Sequence, residues 1–254
     1  MRVVLVISYD GTNYGGWQIQ KNCITVQEVL ERAAGELFGT KTAVVASGRT
    51  DSGVHAAAQV CHMDVESGIA PEKIATALNV RLPGDICVLR SFSAPEGFDA
   101  NRSAKRKTYV YRVYFSECRQ PLKDRFSVWV KGRTDIAKLR HIAGAFEGEH
   151  DFKAYLKSGS QVKTTVRTVY SVEVVEKEFA FGNDVEIRVT GNGFLYNMVR
   201  TIAGTMINFA QGAISEERVR RSLEIGERGD VGKTMPAKGL TLESVEYDGF
   251  SVGR

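Results

Sequence analysis

Between Gly48 and Ala56 the chain reads Gly-Arg-Thr-Asp-Ser-Gly-Val-His-Ala. One carboxylate (Asp51), one guanidinium (Arg49), two hydroxyls (Thr50 and Ser52) and one imidazole (His55) fall within this run, and Val54 is its one large apolar side chain. Gly48 and Gly53 permit backbone angles closed to other residues, so the run predicts a tight loop. An aspartate in such a loop commonly forms a turn or caps its own backbone. The density of polar neighbours around Asp51 leaves a reacting carboxylate as the alternative. A carboxylate can attack carbon or accept a proton. Ser52 and His55 are too close in sequence to be assumed a nucleophile–base pair.

Other chemistries lack their parts. The four cysteines, at 23, 61, 87 and 118, are too far apart for a zinc knuckle or redox motif and read as reduced thiols. His141 and His150 have no metal-ligand partners at useful spacing, and His62 follows Cys61 on a strand, where neighbours face opposite sides. Gly226 to Thr234 resembles a phosphate loop, but five residues precede its Gly-Lys pair where four are required. Gly191-Asn-Gly193 lacks the third glycine and the parallel unit of a dinucleotide site. No metal and no nucleotide cofactor is expected.

Charge is unevenly spread. Residues 101–140 hold twelve basic and three acidic side chains, among them Arg102, Lys105, Arg106, Lys107 and Arg112, with Tyr109, Tyr111 and Tyr114 interleaved. Basic groups neutralise phosphates, and aromatic faces accept unstacked bases, so a polyanion such as RNA is one reading. A solvated strand is the other. Arg200 lies on the polar stripe of a predicted helix with Asn197, Thr201 and Asn208. It is either a solvated residue or a fixed cation for a carboxylate or phosphate, and Asp51 is the opposite-charge candidate.

These residues sit among mixed elements. Val3–Tyr9 reads as a buried strand. Thr25 and Glu28 form a capping-box pattern before a helix with Val26, Val29, Leu30, Ala33, Ala34, Leu37 and Phe38 on one face, ended by Gly39. Strands are expected at 41–46 and 57–65, flanking the Asp51 loop, then a helix at 71–78 and a strand at 86–92. The second half repeats the mixture: a strand at 108–115, a helix after Asp135, strands at 166–175 and 184–190, helices over 195–210 and after Ser215, and a last strand at 241–247. The expected class is α+β, with two lobes of antiparallel sheet flanked by helices, divided as 1–104 and 105–254. With 254 residues, 43% of them hydrophobic, and only five prolines, the chain can build real cores without long disordered linkers. Val3–Ile7 is too short for a signal or membrane segment, so a cytoplasmic protein off the membrane is expected.

Five segments together resemble the tRNA pseudouridine synthase A family: Tyr9–Gln18, Gly48–Ala56, Lys107-Thr-Tyr-Val-Tyr111, Gly193–Arg200 and Met235–Leu242. They occur in the family's order and span almost the whole chain. The resemblance implies the pseudouridine synthase fold and isomerisation of uridine in the anticodon stem-loop of tRNA, at positions 38, 39 and 40, without a cofactor. It implies that Asp51 is the catalytic carboxylate, that Arg200 pairs with it, that Tyr109 lies on the target base, that Arg49 helps place the substrate and that Leu240 lines the pocket. It also implies a homodimer. Phosphate contacts are expected from Arg102, Lys105 and Lys107. Family members usually carry Phe-His-Ala-Arg where this chain has Phe98-Asp-Ala-Asn101, with Arg102 one place later, and Thr241 stands where an aromatic is common.

The residue types suit the reaction. The C1′–N1 bond breaks, the uracil turns, and C1′ joins C5. Asp51 could attack C1′ or remove the C2′ proton, and the sequence does not separate these. Either role needs an ionised carboxylate in a dry pocket, where burial raises a carboxyl pKa and a paired arginine opposes the rise. Two rivals remain: a passive RNA-binding module, which leaves the Asp51 loop unexplained, and a hydrolase of small nucleosides, which has no use for the basic run.

Overall fold

The structure is a computed structural model that describes residues 1–157 and 162–252. The chain clusters into two units, residues 1–107 together with the segment from Thr241 onward, and residues 108–240. The first contains β1 (Arg2–Tyr9), α1 (Val26–Phe38), β2 (Val44–Ala46), β3 (His55–Asp64), α2 (Ile74–Asn79) and β4 (Ile86–Ser93). The chain crosses into the second along β5 (Ala104–Ser116). There follow β6 (Val128–Lys131), α3 (Ile136–Ala143), β7 (Gly148–Asp151), β8 (Val166–Phe179), β9 (Gly182–Gly191), α4 (Met198–Ala210) and α5 (Glu216–Glu224). It returns in β10 (Leu240–Tyr247) and β11 (Phe250–Val252). The last strand, expected in the second lobe, therefore belongs with the first unit.

In the first unit the strands run β4-β1-β3-β10, with β2 also on β3 and β11 on β10. β1 is antiparallel to β3 and β4, but β10 pairs parallel with β3, matching Thr241 to His55 and Leu242 to Ala56. The sheet is mixed rather than purely antiparallel. Val3, Val4, Leu5, Val6 and Ile7 are all buried, which explains their uninterrupted apolar run. Helix α1 covers this core with Val26, Val29, Leu30, Ala33 and Ala34, while Leu37 and Phe38 remain half-buried.

The first amides of α1 all find acceptors, as a buried helix start requires. Val26 N–H donates to the Gly16 carbonyl, Gln27 N–H to that of Trp17 and Val29 N–H to that of Thr25. The Thr25 hydroxyl accepts from Glu28 N–H at 3.3 Å. Gly39 ends the helix in the left-handed region at φ 73°.

In the second unit the strands run β5-β9-β8-β7, and β6 lies parallel to β5. β8 and β9 form a longer hairpin than the sequence predicts, extending to Phe179 and from Gly182. Tyr111 and Tyr114 on β5 are completely buried, so these two rings are core and do not offer faces to a base. Asp135 caps α3 through Lys138 N–H, and Ser215 caps α5 through Arg218 N–H. Helix α4 starts at Met198 rather than Leu195, because Asn197 takes φ 68°.

We expect Thr25→Ala to lower unfolding stability by about 1 kcal/mol, the usual cost of a lost N-cap. Urea denaturation at neutral pH measures it. An unchanged midpoint would mean the hydroxyl contributes nothing.

Candidate functional site

The loop from Ser47 to Val54 joins β2 to β3 and carries Asp51 near its middle, half-buried, with Arg49 exposed beside it. Its entry is gripped through Ser47 and Gly48. Ser47 N–H donates to the Val60 carbonyl, and the Ser47 hydroxyl donates to Gln59 Oε1 at 2.5 Å. Gln59 Nε2 returns a bond to the Gly48 carbonyl at 2.8 Å. The Ser47 carbonyl accepts from Asn101 Nδ2 at 2.9 Å and from Lys107 Nζ at 2.5 Å.

The rest of the loop rests on the segment after β1. Trp17 N–H donates to the Thr50 carbonyl at 3.0 Å, and the Tyr9 and Thr50 hydroxyls meet at 2.8 Å. The Tyr14 carbonyl accepts from Gly53 N–H at 3.3 Å and from the Ser52 hydroxyl at 3.2 Å. Two glycines make this approach possible. A Cβ on Gly11 would lie 2.0 Å from the Val54 carbonyl oxygen, and one on Gly16, already at φ 98°, would lie 2.6 Å from that of Thr50. Within the loop, the Asp51 carbonyl accepts from Val54 N–H at 3.1 Å. His55 is buried on β3, where its Nδ1 accepts from Gly11 N–H at 3.0 Å and lies 3.1 Å from Asp10 Oδ1. Ser52 and His55 thus have separate structural partners.

Lys107, expected as a phosphate contact, is half-buried with its ammonium on the Ser47 carbonyl and against Gly48. Burial lowers its pKa from 10.5 to about 8. Lys105 is exposed and forms a 3.0 Å ion pair with Asp248. Such a surface pair is worth about 0–1 kcal/mol. Arg102 is exposed. Its N–H and that of Asn101 both donate to Asp99 Oδ1, which holds the Asp99 carboxyl below its ordinary range. The divergent Phe98–Asn101 segment therefore forms a self-capped turn, pinned by Ala100 N–H on His62 Nδ1 and by the Tyr247 hydroxyl on the Ala100 carbonyl. Asn101 is thereby turned toward the Asp51 loop. Further along the basic run, Arg112 pairs with Glu186, Arg119 with Asp124, and Lys123 with Asp184, so the run is not a uniform cationic surface.

Tyr109 lies two residues beyond Lys107 on β5, hence on the same face of the strand. It is buried in the second unit, with its ring edge-on to Phe194 at 5.2 Å and 84°. Arg200 lies in the first turn of α4, half-buried. Its Nε donates to the Met235 carbonyl at 2.7 Å and its Nη1 to Asn197 Oδ1 at 2.8 Å. Met235 N–H donates back to the Arg200 carbonyl at 3.2 Å. The polar stripe, whose Arg200 was left as either a solvated residue or a fixed cation, is joined to residues 232–235: the Thr201 and Thr234 hydroxyls meet at 2.9 Å, and Gly232 N–H donates to Thr205 Oγ1 at 2.9 Å. Gly232 of the phosphate-loop-like segment and Gly204 of α4 allow the two backbones to touch. A Cβ on Gly204 would lie 1.8 Å from the Lys233 carbonyl oxygen, and one on Gly232 would lie 2.6 Å from that of Gly204. Leu240 is buried and opens β10, one residue before the Thr241–His55 match. Thr241 is buried too.

Among the described residues, no three His, Cys, Asp or Glu side chains cluster as a metal site requires, and no helix is long and apolar enough to cross a membrane. Sequence reasoning missed Gln59, Asn101 and Asn197 as holders of the site. The glycines at 11 and 16 were the available signal for the loop's support.

Residues 5–101 and 142–248 match the family model described as tRNA pseudouridine synthase. The chain belongs to that family, whose members isomerise uridine in tRNA. It is 44% identical over 246 residues to tRNA pseudouridine synthase A of Ruminiclostridium cellulolyticum, covering 97% of this chain and 99% of the relative. It is 40% identical over 250 residues to tRNA pseudouridine synthase A of Bacillus subtilis, covering 98% and 100%.

Lys107 gives a pH signature. Below about pH 8 its ammonium is charged in both folded and unfolded chains, and burial penalises the fold in full. Between about 8 and 10.5 the unfolded chain holds a proton that the folded chain has released, so stability rises with pH through that window. The stability difference between wild type and Lys107→Met should therefore move in favour of wild type from pH 8 to 10.5, as followed by urea denaturation. A flat difference would contradict the buried ammonium.

Proposed function

We propose that this enzyme converts uridines 38, 39 and 40 of the tRNA anticodon stem-loop to pseudouridine, with Asp51 as its catalytic carboxylate. The observation that carries this reading is the fixation of the Asp51 loop from both ends, by Lys107, Asn101 and Gln59 at its entry and by the Tyr9–Trp17 segment beyond. Holding a carboxylate on a clamped loop preorganises it for a reacting carbon or proton.

The remaining roles follow the family resemblance. Arg200 serves the catalytic carboxylate, keeping it ionised and oriented. Tyr109 stacks on the displaced uracil, and its hydroxyl assists loss of the C5 proton. Arg49 places the substrate and Leu240 lines the pocket. Arg102 and Lys105, with side chains at the surface, take phosphates. Extracting a base from its stack costs a few kcal/mol, which those contacts offset. The reaction is balanced without any external group: C1′–N1 breaks, C1′–C5 forms, C5 loses its proton and N1 gains one. Asp51 acts either as the nucleophile at C1′ or as the base at C2′. We further assign the working enzyme to the cytoplasm as a homodimer.

Isomerisation exchanges the C5 hydrogen for a carbon bond, so tRNA tritiated at uridine C5 should release tritium to water. Asp51→Ala should cut that release at least about 1,000-fold while tRNA binding persists. Free uracil formed from uridine with its C5 tritium retained would favour the nucleoside hydrolase, and tRNA binding with neither tritium release nor free uracil the passive module. Mapping the product within the anticodon arm tests the three positions.

Tyr109→Phe keeps the ring and removes the hydroxyl. A proton-transfer role predicts a turnover loss of about 100-fold with little change in binding. Undiminished turnover would leave Tyr109 a stacking platform only.

A further inference from the structure

Asn197 breaks two local rules at once. It is the one non-glycine among the described residues with positive φ, at 68°. Asparagine tolerates this region better than most residues, but the conformation still stores strain, and such strain concentrates at functional sites. It also occupies the N-cap position of α4, where an asparagine side chain ordinarily accepts from a helix amide. Here the side chain makes no capping bond. Its Oδ1 instead accepts from Arg200 Nη1 at 2.8 Å, while its main-chain carbonyl takes Thr201 N–H at 2.9 Å.

Arg200 is therefore held along two edges of its guanidinium. The Met235 carbonyl takes Nε and Asn197 takes Nη1. The Met235 contact is main chain and is fixed by the close approach of Gly204 to Lys233. Rotation of the guanidinium plane about that first bond is opposed by the second.

We propose that Asn197 is a positioning residue that uses its left-handed backbone to aim an amide carbonyl at Arg200 and set the plane of its guanidinium. The proposal rests on the reading that Arg200 serves the catalytic carboxylate. It accounts for both departures: a capping asparagine in ordinary geometry would turn its oxygen to the helix amides and leave Nη1 without this acceptor.

Glycine accepts positive φ freely but has no side chain. Aspartate tolerates it and keeps an acceptor oxygen. Asn197→Gly, Asn197→Asp, Arg200→Ala and the Asn197→Gly/Arg200→Ala double variant are compared by single-turnover tritium release from unmodified tRNA transcripts tritiated at uridine C5. Binding of the same transcripts and thermal melting are measured alongside. Asn197→Gly should slow release about 10- to 100-fold, the scale of a small misplacement, with tRNA affinity and melting temperature held. Asn197→Asp should stay within about fivefold of wild type, because the charge-assisted bond to arginine is kept. In the Arg200→Ala background, Asn197→Gly should cost less than about twofold more, since the two act as one unit. A wild-type rate for Asn197→Gly beside a slow Arg200→Ala overturns the positioning role alone. Additive losses in the double variant, or an Asn197→Asp as slow as Asn197→Gly, also overturn it. A wild-type rate for Arg200→Ala removes the underlying assignment of Arg200 itself.

Discussion

The Ser47 carbonyl is the point from which the candidate site hangs. It accepts from both Lys107 and Asn101 while its own amide is tied to β3. These bonds decide where the loop leaves β2, and so where Asp51, four residues later, stands. The arrangement has a cost. An ammonium drawn out of water loses solvation, and the lowered pKa of Lys107 records that loss. The bond to a carbonyl dipole compensates only partly. A group retained at such a cost is understandable if it fixes a geometry that an apolar residue could not.

Glycines supply the complementary constraint. Gly11 and Gly16 let one backbone lie directly on another, so beyond its side-chain-held entry the Asp51 loop is also supported by main-chain amides. Main-chain contacts have little rotamer freedom left to lose. The second unit uses the same device, with Gly204 and Gly232 bringing α4 against the segment 232–235 that presents the Met235 carbonyl to Arg200.

Much of this was legible in the sequence where the signal is local. The Thr25 cap, the Gly39 stop, the buried β1 run and the Asp135 and Ser215 caps depend on residues a few positions apart, and local patterns report them. The Asp51 loop announced itself by composition. What stayed hidden depends on distant partners. Nothing near Tyr111 or Tyr114 in sequence says that both faces of β5 are covered, so their rings could be mistaken for a stacking surface. Lys107 looked like one more cation in a basic run because its acceptor lies sixty residues away. Asn101 stands where an arginine was expected, and its use as a donor to Ser47 follows from a turn that Asp99 creates. The parallel match of β10 to β3 could not be read from β10 itself, whose apolar pattern is the same whichever way its neighbour runs.

The two charged residues proposed to work together are each held by bonds inside their own unit. Asp51 sits on a loop whose ends are fastened to β3, β5 and the segment after β1, and Arg200 has main-chain and amide acceptors on two edges. Ion pairs that rely only on each other lose their geometry when either member moves. Here each unit holds its own charged residue, so neither depends on the other for its place. Electrostatic preorganisation asks this of the proposed Asp51 and Arg200 roles: reorganisation completed during folding, so that a chemical step can begin with its dipoles already aimed.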